Sequence, residues 1–313
     1  MKTLIFTNSA LYLNTALSIH EHCDVAGIVV PEELNYELIG TIAYAESRGI
    51  PLLKIAKSDL EQGGKVASWI QELQVEAVLV MTFPFIIPEH LLKSTEKGFF
   101  NVHFSKLPSF KGSAPLFWQL KTGALETGLT IHRMTTTVDS GPMVFRQELQ
   151  LYPGENYGLA KARLTALLGE SMPQILERIK EEQYLYIADE ENIESSYGIP
   201  EITDLTINWD TDTASEIEHL VNAANPLYQG AITYIGGQQV RIFEVTSVTG
   251  EFDPAEVAPG TVFHIDPEHG PMVLTSDKAL LLLNVVGTME GIFSGKKMCA
   301  IGLKVGDQFI TLS

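Results

Sequence analysis

Cysteine is scarce. Cys23 and Cys299 are the two in 313 residues, too few for a disulfide framework or a zinc cluster, and both read as reduced thiols. Basic residues are thin as well, 21 Lys and Arg against 39 Asp and Glu, a net charge of −18. That balance disfavours electrostatic capture of nucleic acid or an anionic lipid surface, and it says nothing about fold. No apolar run approaches the length of a membrane span, and the N-terminus carries no charged-then-apolar leader with a small-residue cleavage site. The expectation is a cytoplasmic protein with no membrane partner. Glycine is missing from the first strand–helix turn, Phe6-Thr7-Asn8-Ser9-Ala10, where a dinucleotide fingerprint needs it for close approach to a pyrophosphate. That argues against a nicotinamide-dependent enzyme. Gly63-Gly64 matches no phosphate-loop spacing and reads as a flexible turn, and neither a Gly-x-Ser-x-Gly elbow nor a His-Glu-x-x-His zinc motif occurs.

What is present is 45% hydrophobic residues in a length that suggests two domains. Short apolar strands at 4–7, 25–30, 52–55 and 77–81 alternate with helical patterns at 11–19, 38–48 and 64–73. Asn8-Ser9 offers a cap to the first of these helices. The alternation predicts an α/β fold with a doubly wound, mostly parallel sheet. Further strands are expected at 129–134 and 143–151, then a helix over 159–182 whose apolar stripe is core. Residues 181–204 hold eight acidic residues and no Lys or Arg, and read as a linker. Beyond it, a helix near 213–224 and strands at 231–235, 239–248, 260–265, 272–275 and 279–286 suggest a small barrel. The expected division is 1–183, an acidic linker 184–206, and 207–313.

The stretch that carries chemistry is Phe99-Phe100-Asn101-Val102-His103-Phe104-Ser105-Lys106-Leu107-Pro108. Residues two apart on a strand share a face, so Asn101 and His103 stand side by side while Phe100, Val102 and Phe104 turn the other way. Proline at 108 is expected to stop the strand, leaving the pair near a carboxyl end, where open α/β sheets place ligands. Met81-Thr82-Phe83-Pro84-Phe85-Ile86-Ile87-Pro88 is an apolar loop that either packs on the sheet or lines a pocket for a flat heteroaromatic ring. Ser105 reads as a turn residue, because no base accompanies it at a nucleophile spacing. His132 faces away from Ile131 and Arg133 and is read as a surface or interface histidine. Taken alone, Asp139 in Asp139-Ser140-Gly141 is an ordinary turn aspartate.

Together these segments resemble the formyltransferase family that uses 10-formyltetrahydrofolate. Asn101-x-His103 matches its Asn-x-His, and Ser105-Lys106-Leu107-Pro108 its Ser-Leu-Leu-Pro, with Lys106 replacing a leucine. Lys111-Gly112-Ser113-Ala114-Pro115, Glu126-Thr127-Gly128-Leu129-Thr130-Ile131 and Asp139-Ser140-Gly141 continue the match. Asn225-Pro226 followed by Gly230-Ala231-Ile232-Thr233-Tyr234 is similar to the family's OB-like C-terminal domain. The resemblance implies a Rossmann-like formyltransferase domain followed by a small OB-like β-barrel. It also implies catalysis by Asn101, His103 and Asp139, with 10-formyltetrahydrofolate as co-substrate and no metal. The pterin is expected between the loop with Phe83, Phe85, Ile86 and Ile87 and the segment with Thr137 and Val138. On this reading Asn101 and a protonated His103 hold the oxyanion, and Asp139 favours the imidazolium and accepts the amine proton. Lys106 is solvated or contacts the folate's anionic tail.

Two departures bear on the acceptor. The Gly-Thr-Pro common near the N-terminus of the tRNA-formylating branch is Thr7-Asn8-Ser9 here, and its long basic loop is reduced to residues 31–37 with three glutamates. The leading expectation is N-formylation of a primary amine on a small metabolite such as an amino-sugar nucleotide. Methionyl-tRNA as acceptor, a 10-formyltetrahydrofolate hydrolase and a non-catalytic folate-binding protein are the alternatives. The oligomeric state is not legible.

Overall fold

The computed structural model describes residues 1–33, 35–185, 196–248, 254 and 256–312. Within the expected acidic linker, residues 186–195 lie outside the described residues, as do Leu34 of the loop at 31–37 and residues 249–253, 255 and 313 of the C-terminal region. The chain divides into two compact units. One comprises Met1–Pro115, Thr127–Leu149 and Ala162–Ser196, the other Leu116–Glu126, Gln150–Lys161 and Tyr197–Ser313.

The first unit is built on strands β1 (Lys2–Thr7), β2 (Asp24–Pro31), β3 (Leu52–Ile55), β4 (Ala77–Met81), β5 (Gly98–His103), β6 (Glu126–Arg133) and β7 (Met143–Gln150), in the spatial order β3-β2-β1-β4-β5-β6-β7. Helices α1 (Leu11–His22), α2 (Leu38–Arg48) and α3 (Lys65–Leu73) connect the first four strands. The pairings from β3 through β5 are parallel. Strands β1 and β4 are buried almost throughout because both faces are covered. On one face Leu4, Phe6, Val78, Val80 and Phe99 pack with Val66 and Ile70 of α3. Strand β5 then turns the sheet antiparallel, pairing with β6 in the register Phe100–Arg133, Asn101–His132, Val102–Ile131 and His103–Thr130.

Three local expectations are corrected. The ladder of β5 ends at His103, before Leu107-Pro108, because side chains take over its hydrogen bonding. Thr130 Oγ1 donates to the Ser105 carbonyl (2.7 Å) and accepts from the Leu107 N–H (3.4 Å), while Ser105 Oγ donates to the Ser109 carbonyl (2.8 Å). Helix α4 (Tyr157–Lys180) starts two residues before the expected 159, since Asn156 Oδ1 accepts the Leu159 N–H and caps the first turn. At α1 the N-cap is Ala10, without a side-chain cap, rather than the expected Asn8-Ser9; Ser9 Oγ, one residue earlier, accepts the Leu11 N–H, and Asn8 is engaged by Asn35.

The second unit holds α5 (Ala214–Ala224), opened by a reciprocal capping pair between Thr213 and Glu216, and an antiparallel sheet. Its strands are β8 (Ala231–Ile235), β9 (Gln238–Val248), β10 (Val262–Asp266), β11 (Gly270–Leu274), β12 (Leu280–Thr288), β13 (Gly291–Ser294) and β14 (Phe309–Ile310). The order is β10-β11-β12-β9-β8-β14, with β13 on β12. The two ends of that order meet. Val262 N–H donates to the Asp307 carbonyl and Phe309 N–H to the Gly260 carbonyl, both at 2.8 Å, around a Thr261–Gln308 bridge. The sheet therefore curls into a small barrel, with buried Trp209 and Phe309 packed together and Trp209 Nε1 donating to Thr233 Oγ1. Strands β13 and β14 were beyond the sequence pattern, being only four and two residues long. Among the described residues no helix is long and apolar enough to cross a membrane.

Candidate active site

The site grows from the β5–β6 pair. Alternation puts Asn101 and His103 on one face of β5, and the register sets His132 opposite Asn101 and Thr130 opposite His103 on β6. The chain leaves β6 through Met134 and returns in the Asp139-Ser140-Gly141 turn. Asp139 adopts a left-handed φ of 49°, and its side chain is turned inward, 8% exposed. The turn is docked on the end of β6, where Arg133 N–H donates to the Pro142 carbonyl (2.8 Å) and Gly141 lies so close that a Cβ would sit 1.7 Å from the Arg133 carbonyl oxygen. Only glycine fits there.

Asp139 is held on both oxygens. Oδ2 accepts the Gly112 N–H at 2.8 Å and lies 3.7 Å from His103 Nδ1. Oδ1 lies 3.3 Å from His132 Nε2 and 3.4 Å from Asn101 Nδ2. Burial alone would raise the Asp139 carboxyl, but the His132 hydrogen bond, the His103 ring and the Gly112 N–H outweigh it and hold it at about 2. It is a carboxylate at any physiological pH.

His103 departs from the expected imidazolium. Burial pushes its pKa below the ordinary value and His132 adds to that, while Asp139 and the Phe110 carbonyl pull upward without prevailing. The ring is neutral in the resting site. Its Nε2 is 2.9 Å from the Phe110 carbonyl, an acceptor only, so Nε2 carries the proton and Nδ1 is the free nitrogen, facing Asp139. Phe110 has a left-handed φ of 57°, which aims its carbonyl at the ring.

His132 is the residue that sequence reasoning misplaced. It is 2% exposed, not a surface histidine. Its strand face was read correctly, but which face of β6 is buried depends on pairing with β5, 31 residues earlier. The signal was Thr130-Ile131-His132, a second polar-apolar-polar triplet matching Asn101-Val102-His103. Lys106 lies 3.0 Å from Glu148 Oε1, an ion pair at the surface. Lys111 Nζ donates to Ser140 Oγ (3.1 Å), next to Asp139.

The residues expected to line a ring pocket divide into two groups. Phe83 and Phe85 make an edge-to-face pair with centroids 5.4 Å apart and join the core of Phe6, Phe99 and buried Ile87. Met134, which starts the loop to Asp139, packs on that same core. Ile86 and Val138 are exposed, at 79% and 54%. The carbonyls of Thr137 and Val138 are taken by the Thr135 and Ser140 hydroxyls. No group of three or more metal-ligating side chains occurs among the described residues. The arrangement thus offers an amide donor, an imidazole whose Nδ1 faces the carboxylate, and an ionised carboxylate.

Residues 13–176 match the family model described as formyl transferase, and residues 202–299 match that of the formyl transferase C-terminal domain. A methionyl-tRNA formyltransferase from Geobacter metallireducens is 28% identical over 213 residues, covering 68% of this chain and 67% of its own. Among solved structures, HypX from Aquifex aeolicus superposes with a TM-score of 0.61 at 16% identity over 96% of this chain; the match spans 48% of HypX, about half its length. WlaRD, a sugar 3N-formyl transferase solved with dTDP and 5-N-formyl-THF, gives a TM-score of 0.67 at 16% identity, covering 90% of this chain and 96% of its own.

Proposed function

This chain belongs to the formyl transferase family, and from that premise we propose that it moves the formyl group of 10-formyltetrahydrofolate to a primary amine on a small metabolite such as an amino-sugar nucleotide. The observation that carries the reading is the gathering of Asn101, His103 and Asp139 at the carboxyl end of β5. A folate is supported by the exposed apolar side chains of Ile86 and Val138, on the loops that follow β4 and β6, which suit a flat ring. WlaRD, solved in the presence of 5-N-formyl-THF, points the same way.

When bound, the folate supplies an electrophilic formyl carbon. Attack by the acceptor nitrogen pushes the carbonyl π electrons onto oxygen, and Asn101 Nδ2, with two hydrogens, donates to that oxyanion. Asp139, ionised and 3.7 Å from His103 Nδ1, takes the proton released by the amine directly or through water. The neutral His103 accepts it at Nδ1 and returns it to the departing folate nitrogen. Charge and protons balance without a covalent enzyme intermediate or a metal.

The methionyl-tRNA reading is supported by the Geobacter relative and opposed by charge. A formyl-transfer assay with 10-formyltetrahydrofolate against a panel of primary amines tests the proposal. Transfer to a small amine is expected, with Asn101→Ala and Asp139→Asn each losing about 10²–10³ in rate while folate binding persists. Formate released without any acceptor would instead identify a hydrolase. Folate binding without turnover would identify a binding protein.

A further inference from the structure

Two histidines flank one carboxylate, yet the reaction above uses only one of them. His132 is more completely buried than His103 and stands on the neighbouring strand. Both its ring nitrogens face oxygen: Nδ1 is 3.2 Å from the Arg133 carbonyl and Nε2 is 3.3 Å from Asp139 Oδ1. A carbonyl and a carboxylate both accept, and a neutral imidazole has a single N–H to give. An N–H carried on Nε2 is the one that meets the carboxylate, 3.3 Å away. Asn101 Nδ2 is 3.4 Å from Nε2, but it has Asp139 Oδ1 at the same distance as an alternative acceptor.

We propose that His132 is a positioning residue for Asp139, donating from Nε2 to Oδ1 so that the carboxylate stays ionised and its Oδ2 is turned toward His103. This deepens the formyl-transfer reading and rests on it for the reaction, though not for the contact itself. The groups facing Asp139 are His132 from β6, His103 and Asn101 from β5, and the Gly112 N–H, with Lys111 reaching Ser140 beside it. The two imidazole rings have centroids 6.5 Å apart. With Oδ1 taken by His132, Oδ2 is the oxygen left facing His103 Nδ1, 3.7 Å away, on the path of the travelling proton. One histidine is the fixed partner and the other is the carrier.

The experiment uses the full chain with His132→Met, which keeps bulk without a donor, and His132→Gln, which keeps an N–H. Each variant is followed by carbon NMR titration of the Asp139 carboxyl, assigned by its loss in Asp139→Asn, and by the pH profile of kcat. In His132→Met the carboxyl midpoint is expected to rise by about one pH unit or more. The acid limb of kcat should move up with it, and kcat should fall about 10–100-fold with the folate KM unchanged within about threefold. His132→Gln should recover part of both changes. A kcat loss without movement of the midpoint or the acid limb would mean a merely structural residue and overturn the proposal. So would an unmoved midpoint in His132→Leu, which also lacks a donor, if the Met variant does not fold. Failure of the wild-type chain to formylate any amine would sink the formyl-transfer reading, while the carboxyl midpoint would still decide for or against His132.

Discussion

Asp139 and His103 illustrate how one buried pocket moves two groups in the same numerical direction with opposite meaning. Asp139 is held at about 2, so it is charged; His103 is pushed below its ordinary value, so it is neutral. The second shift has a stability consequence whose sign is fixed. Between its folded value and its unfolded value near 6.5, the unfolded chain binds more protons at this ring, so stability rises with pH across that window and is lost as pH falls through it. His20, lowered first by burial and then by Arg48, acts with the same sign. The melting temperature is therefore expected to climb between about pH 5 and 7. His103→Gln should flatten that climb, with His20 preserving part of it. Differential scanning calorimetry across the range checks this, and an unchanged slope in the variant would contradict a neutral His103.

At the scale of elements, the docking of the Asp139-Ser140-Gly141 turn onto the end of β6 is what brings the carboxylate to the imidazoles. Gly141→Ala would drive a methyl into the Arg133 carbonyl and lever the turn away. The expected result is a loss of at least about 10²-fold in kcat, as for removal of a transition-state group. The fold should persist, shown by an unchanged far-UV spectrum. Much at this scale was legible in sequence. The expected bounds of α2, β3, β4 and β8 coincide with those observed, because continuous apolar runs and helical spacing are local signals. The shared face of Asn101 and His103 followed from strand period alone. Asp139, by contrast, was visible only through family resemblance, since nothing local separates it from an ordinary turn aspartate. The burial of His132 and the neutral state of His103 depend on the antiparallel β5–β6 register, which brings together residues some thirty positions apart. The hydroxyl bonding of Thr130 that ends β5 at His103 was hidden for the same reason.

For the whole molecule, charge is the feature that bears on partners. Residues 207–313 contain five Lys and Arg against thirteen Asp and Glu, a net charge of −8, within a chain of −18. A nucleic-acid partner draws much of its affinity from cations that displace counterions, and an OB-like barrel needs a positive groove to follow a single strand. Formyl transfer to charged initiator tRNA at physiological salt is therefore expected to be negligible beside transfer to a small amine. Efficient transfer, with affinity falling steeply as salt rises, would reverse that reading. The backbone contacts joining Val262 to Asp307 and Gly260 to Phe309 have a different consequence. They act as a zip that hides two strand edges from other chains. Deleting residues 306–313 should open it, leaving β10 and β8 with unpaired backbone groups that can template pairing with a second molecule. Light scattering would then report slow self-association of a protein whose catalytic chemistry is untouched, so that solubility, rather than turnover, is what the last strand protects.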